Sequence, residues 1–176
     1  LVGNRVSQLN SLSISWFGGE PLLATDRVQE ISTFAKTECA DVGCAFHGGM
    51  TTNGVLLTVD KARELYEAGV SSYQITLDGV EATHDETRRR HLSEAGTFNQ
   101  IWKNLCAVRE CNLPVNVLIR FHVTTNDIAI TKDAIERISE TFLVDPRFKL
   151  HIRSLSRLSS GKRECANFEG VDHKHV

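Results

Sequence analysis

Four short segments collect the residue types that do chemistry: Trp16-Phe17-Gly18-Gly19-Glu20-Pro21, Thr51-Thr52-Asn53-Gly54, Thr76-Leu77-Asp78-Gly79 and Thr124-Thr125-Asn126-Asp127. Each closes a run of strand-forming residues, so hydroxyls, carboxylates and glycines gather where a parallel sheet opens to ligand. Taken singly, each segment reads as a solvated turn; their agreement points to a site. Gly18 and Gly19 lack β-carbons, which lets a ligand approach the main chain and use its amide and carbonyl groups as partners. Glu20 adds a carboxylate beside them, and with Asp78 at the same edge it favours a cationic amino group over a phosphate. His84, Asp85 and His122 are acid/base types, but their spacing does not raise them above solvated residues of a polar loop.

These segments need elements to hold them. Polar-apolar alternation predicts a first strand over Ser11–Phe17, followed by others over Ala45–Thr52, Ser72–Leu77, Val115–Val123 and Phe148–Arg153. Between them lie helical patterns. The first has Pro21 in its opening turn and Val28, Ile31, Phe34 and Ala35 recurring until Gly43. The second, near Val59–Ala68, turns Ala62, Leu65 and Tyr66 one way and has Gly69 where a C-terminal cap belongs. An Arg-rich polar connection leads to a third, where Thr97 and Gln100 have capping-box spacing and Phe98, Ile101, Leu105 and Val108 form the buried stripe. The fourth, near Ile130–Phe142, puts Ala134, Ile135, Ile138 and Phe142 on one side. Five strands separated by four helices imply an α/β fold with parallel strands joined by right-handed crossovers. The domain occupies residues 1–155, and the aperiodic, polar stretch 156–176 reads as an irregular tail.

Composition sets the class. A chain of 176 residues with 41% hydrophobic and 24% charged residues can bury the core of one domain, which excludes collagen-like and disordered chains. Twenty Lys and Arg against twenty-two Asp and Glu leave a net charge of -2, so there is no global positive field for nucleic acid or an anionic membrane. Without a long apolar run or a signal-peptide pattern, the expected location is the cytoplasm. The cysteines, Cys39, Cys44, Cys106, Cys111 and Cys165, are too sparse for a disulfide scaffold and are expected as free thiols. A zinc site from Cys39, Cys44 and His47 would still need a fourth ligand.

Three blocks in order carry a family likeness: Trp16-Phe17-Gly18-Gly19-Glu20-Pro21-Leu22-Leu23, then Thr52-Asn53-Gly54-Val55-Leu56-Leu57, then Thr76-Leu77-Asp78-Gly79 with His84-Asp85-Glu86-Thr87-Arg88 and Gly96-Thr97-Phe98. The chain resembles the radical S-adenosylmethionine enzymes, and within them the peptide- and protein-modifying branch that includes anaerobic sulfatase-maturating and other SPASM-type enzymes. The resemblance implies a partial parallel (β/α)6 TIM-like barrel, here with about five of its strands. It implies S-adenosylmethionine (AdoMet) as cofactor, its amino group held by Gly18, Gly19 and Glu20 and its ribose or carboxylate near Thr76, with Asp78 also among the cofactor-binding residues. Either Arg88 or Arg120 would face the methionyl carboxylate, and Asn53 would line the cavity floor or simply form the turn before Gly54. The family's 4Fe-4S cluster is held by Cys-x3-Cys-x2-Cys, which this chain lacks; by the resemblance that loop would precede Leu1, and a cysteine-rich extension would follow Val176. The expected parent makes a 5'-deoxyadenosyl radical that modifies a peptide or protein and takes electrons from a donor such as flavodoxin or ferredoxin, while the fragment alone is expected to be inactive. The alternative is a cluster-free α/β binding module on the same fold.

Overall fold

Burial alternates along the strands, so the sheet they build has two unlike faces. The computed structural model describes residues 5–88, 96–123 and 127–154; the tail expected over 156–176, with Cys165, lies outside them, as do Arg89, Arg90 and Thr124 to Asn126. Five strands, β1 (Ser11–Trp16), β2 (Ala45–Thr52), β3 (Val70–Asp78), β4 (Asn116–Val123) and β5 (Phe148–Ser154), pair in parallel in the order β1-β2-β3-β4-β5. Neighbours in sequence are neighbours in space throughout. A doubly wound sheet would reverse its order at a switch point; this one grows in a single direction, as the wall of a barrel does. The expected α/β class and partial parallel barrel are therefore what the chain adopts.

The helices are α1 (Thr25–Asp41), α2 (Val59–Glu67), α3 (Glu81–Thr87), α4 (Phe98–Glu110) and α5 (Ile128–Ile138), the last continuing as a π turn over Ser139–Leu143. Short α3 replaces what the sequence suggested was only a polar connection, so the described chain has five helices where four were expected. Pro21 starts a 3-10 turn over Pro21–Ala24, and α1 proper begins after it. The buried side of α1 also differs from the expected stripe: Val28 and Ala35 are buried, but Ile31 and Phe34 are 45% and 55% exposed. Ser32 takes the inward position because its Oγ accepts the Trp16 indole N–H at 3.1 Å, so this polar residue is buried with a partner. The glycine expected to end α2 does so, Gly69 having φ +95°.

One face of the sheet meets the helices. Tyr73, Ile75 and Leu77 of β3 and Val117, Ile119 and Phe121 of β4 pack there with Leu65 of α2, with Ile101, Leu105 and Val108 of α4, and with Ile138 and Phe142. Close strand approach imposes its own demand at Gly48, beside a register shift between β2 and β3. A β-carbon there would stand 2.6 Å from the Gly69 carbonyl oxygen and 2.8 Å from the Val70 Cα, both backbone atoms that cannot step aside. Gly48→Ala should therefore cost about 1–3 kcal/mol through overpacking, read as a lower urea midpoint with unchanged slope.

Candidate functional site

The opposite face of the sheet is polar. Strand register lays its side chains out in rows that climb toward the C-terminal ends: Ser15, Gly49, Ser72 and Asn116; then Thr51, Gln74, Leu118 and Lys149; then Thr76, Arg120 and His151; then Asp78, His122 and Arg153. A concavity of about 220 Å³ opens on it, lined in part by Ser15, Gly49, Thr51, Ser72, Gln74 and Leu118. A second cavity of about 230 Å³, between α3, α4 and α5, lies on the helical side around Phe98, Trp102 and Arg137.

At the β1 end, Glu20 acts first as a tether. Its Oε1 accepts from Thr52 Oγ1 at 2.6 Å and from the Leu22 N–H at 3.0 Å, and its Oε2 accepts from the Asn53 N–H at 2.8 Å. The carboxylate thus caps the Pro21–Ala24 turn and fastens the Gly18-Gly19 loop to the end of β2. A carboxylate has about four acceptor positions, so one remains. Asn53 forms the turn before Gly54: its Oδ1 accepts from the Val55 N–H at 2.9 Å, while Thr52 Oγ1 accepts from Gly54. Gly18 and Gly19 have φ +88° and +54°, values that L side chains rarely adopt, and the space where their β-carbons would stand is open.

At the β3 end stands a network that the sequence reading missed. Arg88 Nε donates to Asp78 Oδ2, and His122 Nδ1 lies 2.7 Å from Asp78 Oδ1, so the carboxylate is paired on both oxygens. Burial alone would raise the pKa of Asp78, but hydrogen bonds and charge from Arg88 and His122 outweigh it and hold the carboxyl below its usual range. The Asp78 share of the charge that was expected to repel a phosphate is therefore already offset, while Glu20 is met by neutral donors. Arg88, one of the two guanidinium candidates, commits its Nε to this pair.

His84 and Asp85 are not solvated loop residues either. His84 is fully buried in α3. Its Nδ1 accepts from the Asp78 N–H at 3.1 Å, its Nε2 meets Thr97 Oγ1 at 3.0 Å, and that hydroxyl donates to the Arg88 carbonyl at 2.8 Å. The directions agree only for neutral imidazole protonated on Nε2, and burial, then the charge of Arg88, lowers its pKa. Asp85 Oδ1 accepts from the Thr97 and Phe98 N–H groups at 2.8 and 2.9 Å, capping α4 from a neighbouring element. The capping box expected from Thr97 and Gln100 does not form: Thr97 makes no side-chain cap, and Gln100 donates to Asn104. Gly96 is where the Asp85 carboxylate passes, since a β-carbon there would lie 1.9 Å from Asp85 Oδ2. Asn104, buried within the apolar stripe of α4, also went unread; it donates to the carbonyls of Gly54 and Val55 at 2.9 and 2.8 Å and braces the loop after β2. A polar residue inside that stripe was the signal.

Arg120 differs from Arg88. It sits on β4 in register with Thr76, and its Nε is buried without a hydrogen-bond partner. The cysteines supply no comparable site. Cys39 and Cys44 are buried thiols packed with Val6, and burial followed by Cys44 raises the pKa of Cys39; burial likewise raises that of Cys106. Among the described residues no group of three or more His, Cys, Asp or Glu is arranged to hold a metal, so these residues do not fit a 4Fe-4S cluster. No helix among them is long and apolar enough to cross a membrane.

A family profile described as Radical SAM superfamily matches residues 5–120. Curated relatives include a GTP 3',8-cyclase of Thermodesulfovibrio yellowstonii, 33% identical over 120 residues, which are 67% of this chain and 34% of that protein. Another is an AdoMet-dependent heme synthase of Methanosarcina barkeri, 31% identical over 126 residues, 71% of this chain and 30% of the relative. Among solved structures, native anSMEcpe with bound AdoMet superposes with a TM-score of 0.66 at 19% identity, covering 94% of this chain and 44% of that one. Its complex with AdoMet and the Kp18Cys peptide gives 0.65 at the same 19% identity, covering 94% and 45%. At that identity the likeness is one of fold. The chain spans about a third of the length of these curated relatives.

The buried imidazole makes stability depend on pH. Because folding lowers the pKa of His84 from its ordinary 6.5, its contribution is complete above that value and is lost as pH falls toward the lowered one. Unfolding free energy should drop there by up to about 1.4 kcal/mol per pH unit, and a further loss should set in below the carboxylate range as Asp78 is protonated. Denaturant titrations from pH 8 down to about pH 2 read both limbs. NMR of the imidazole nitrogens should show His84 titrating below its ordinary 6.5, with the proton of the neutral form on Nε2.

Proposed function

The chain belongs to the radical SAM superfamily, and from that premise we propose that its polar sheet face holds AdoMet and presents it to a peptide or protein substrate. Family membership brings AdoMet and a 4Fe-4S cluster with it; when bound and reduced, that pair supplies a 5'-deoxyadenosyl radical that removes a substrate hydrogen atom. The described cysteines do not serve the cluster, but other residues fit AdoMet.

The observation that carries this reading is Arg120. A buried guanidinium Nε without a partner, one strand from the Thr76 hydroxyl, is costly to leave unmet and suits the methionyl carboxylate. The open Gly18-Gly19 loop, at the C-terminal end of β1, offers main-chain carbonyls to the methionyl ammonium, and Glu20 offers its remaining acceptor position. Asn53 contributes by shaping the turn that Glu20 grips. Asp78 and Arg88 act on the wall itself: they hold the end of β3 beside β4 and leave Arg120 unengaged. The peptide or protein substrate is supported by the motif blocks of the sequence and by the fold shared with a peptide-bound neighbour; a flavodoxin or ferredoxin is the expected electron donor of the whole protein.

Calorimetry with AdoMet on the full chain tests the assignment. Arg120→Gln should weaken binding at least tenfold, and Gly19→Val should do the same by forcing the loop out of its positive φ. Arg88→Lys, which keeps the charge beside Asp78, should change the dissociation constant less than threefold. Loss at Arg88 with none at Arg120 would reverse the roles given to the two guanidinium groups.

A further inference from the structure

Charge is unevenly distributed over this net acidic chain. Among the described acidic residues Asp78 alone lies within a strand, and it is already paired with Arg88 and His122. Basic side chains on the polar face gather at one side: Arg120 and His122 on β4, and Lys149, His151 and Arg153 in the matching rows of β5. The three β5 residues are exposed, and the ion pairs found among the described residues include neither Lys149 nor Arg153. β5 also ends the described sheet; among the described residues no strand pairs with its outer edge. The other end strand, β1, turns only serines, Ser11, Ser13 and Ser15, to the same face.

An open strand edge binds an extended chain through main-chain hydrogen bonds, and alternate side chains set the specificity. Positions two apart on a strand stand about 6.6 Å apart on one face, and an added strand repeats with the same step. Lys149, His151 and Arg153 have that spacing, so the complementary ligand carries acids at alternate positions. We propose that β5 is a docking strand for an extended acidic peptide segment, with Asp or Glu at every second residue facing Lys149, His151 and Arg153. This rests on the reading of the polar face as the substrate side of the AdoMet site, and it names the part of the substrate that β5 recognises. Charges on an end strand also keep bare edges from pairing with one another; that role needs cations but gives no preference for the order of acids in a ligand.

Fluorescence anisotropy with labelled decapeptides separates these roles. One peptide alternates Glu with Thr, a second has the same composition with its Glu residues contiguous, and a third replaces Glu by Gln. At 150 mM salt the alternating peptide should bind the full chain at least fivefold more tightly than the contiguous one and tenfold more tightly than the Gln version. The double variant Lys149→Glu with Arg153→Glu should lose at least tenfold for the alternating Glu peptide and gain affinity for one alternating Lys with Thr, while its AdoMet affinity stays within twofold. Equal binding of the alternating and contiguous peptides overturns the proposal. So does tighter binding of tripolyphosphate or GTP than of any peptide, which would make this a small-polyanion surface. Self-association of the double variant with peptide binding unchanged overturns it in favour of edge protection. If the peptide pattern holds while AdoMet fails to bind, the docking strand stands and the cofactor assignment falls.

Discussion

A carboxylate buried at the end of a parallel strand must be neutralised where it stands, and much of this site's form follows from how Asp78 is. Arg88 reaches it from the end of α3 and His122 from the neighbouring strand, which fixes the distance between that helix end and β4. Once Arg88 is placed, its carbonyl can accept from Thr97, whose hydroxyl is in turn met by His84; the imidazole's far nitrogen receives the Asp78 amide. The loop closes on itself through neutral groups around one ion pair. Breaking the pair would leave a buried charge uncompensated, a larger loss than the net worth of the bond.

The two faces of the sheet are a second consequence of ordinary strand geometry put to separate uses. Side chains alternate, so the β3 run that sends Tyr73, Ile75 and Leu77 into the helical core must send Ser72, Gln74, Thr76 and Asp78 the other way. Parallel sheets are commonly covered on both faces. Here the described helical core covers one face, and the other carries hydroxyls, amides, imidazoles and guanidinium groups in rows. Stability and binding are thereby assigned to different sides of the same strands, and a change on the polar side need not touch the core.

Glu20 and Arg120 show how the two ends of that polar face are prepared differently. Glu20 is heavily engaged, its bonds to Thr52, Asn53 and Leu22 turning a glycine loop into a fixed rim. Arg120 is held in place by its strand but left with a buried donor unmet. One end of the face is thus already rigid, and the other keeps a donor open to an acceptor.

The strand order, the polarity of the strand ends and the family were legible in the sequence because they depend on local pattern: period-two alternation, glycines after strands, and short blocks read in order. The buried stripe of α4 was legible for the same reason. Local pattern misled where a distant residue took over a local job. Asp85 caps α4 in place of Thr97 and Gln100; Ser32 faces inward in place of Ile31 and Phe34 because Trp16 is there to bond it; and His84 is a buried staple because Thr97 and the Asp78 amide converge on it. The choice between Arg88 and Arg120 was closed to the sequence for a related reason. The two are alike as residues, and only the folded chain decides which guanidinium meets a carboxylate of its own and which keeps a buried Nε without a partner.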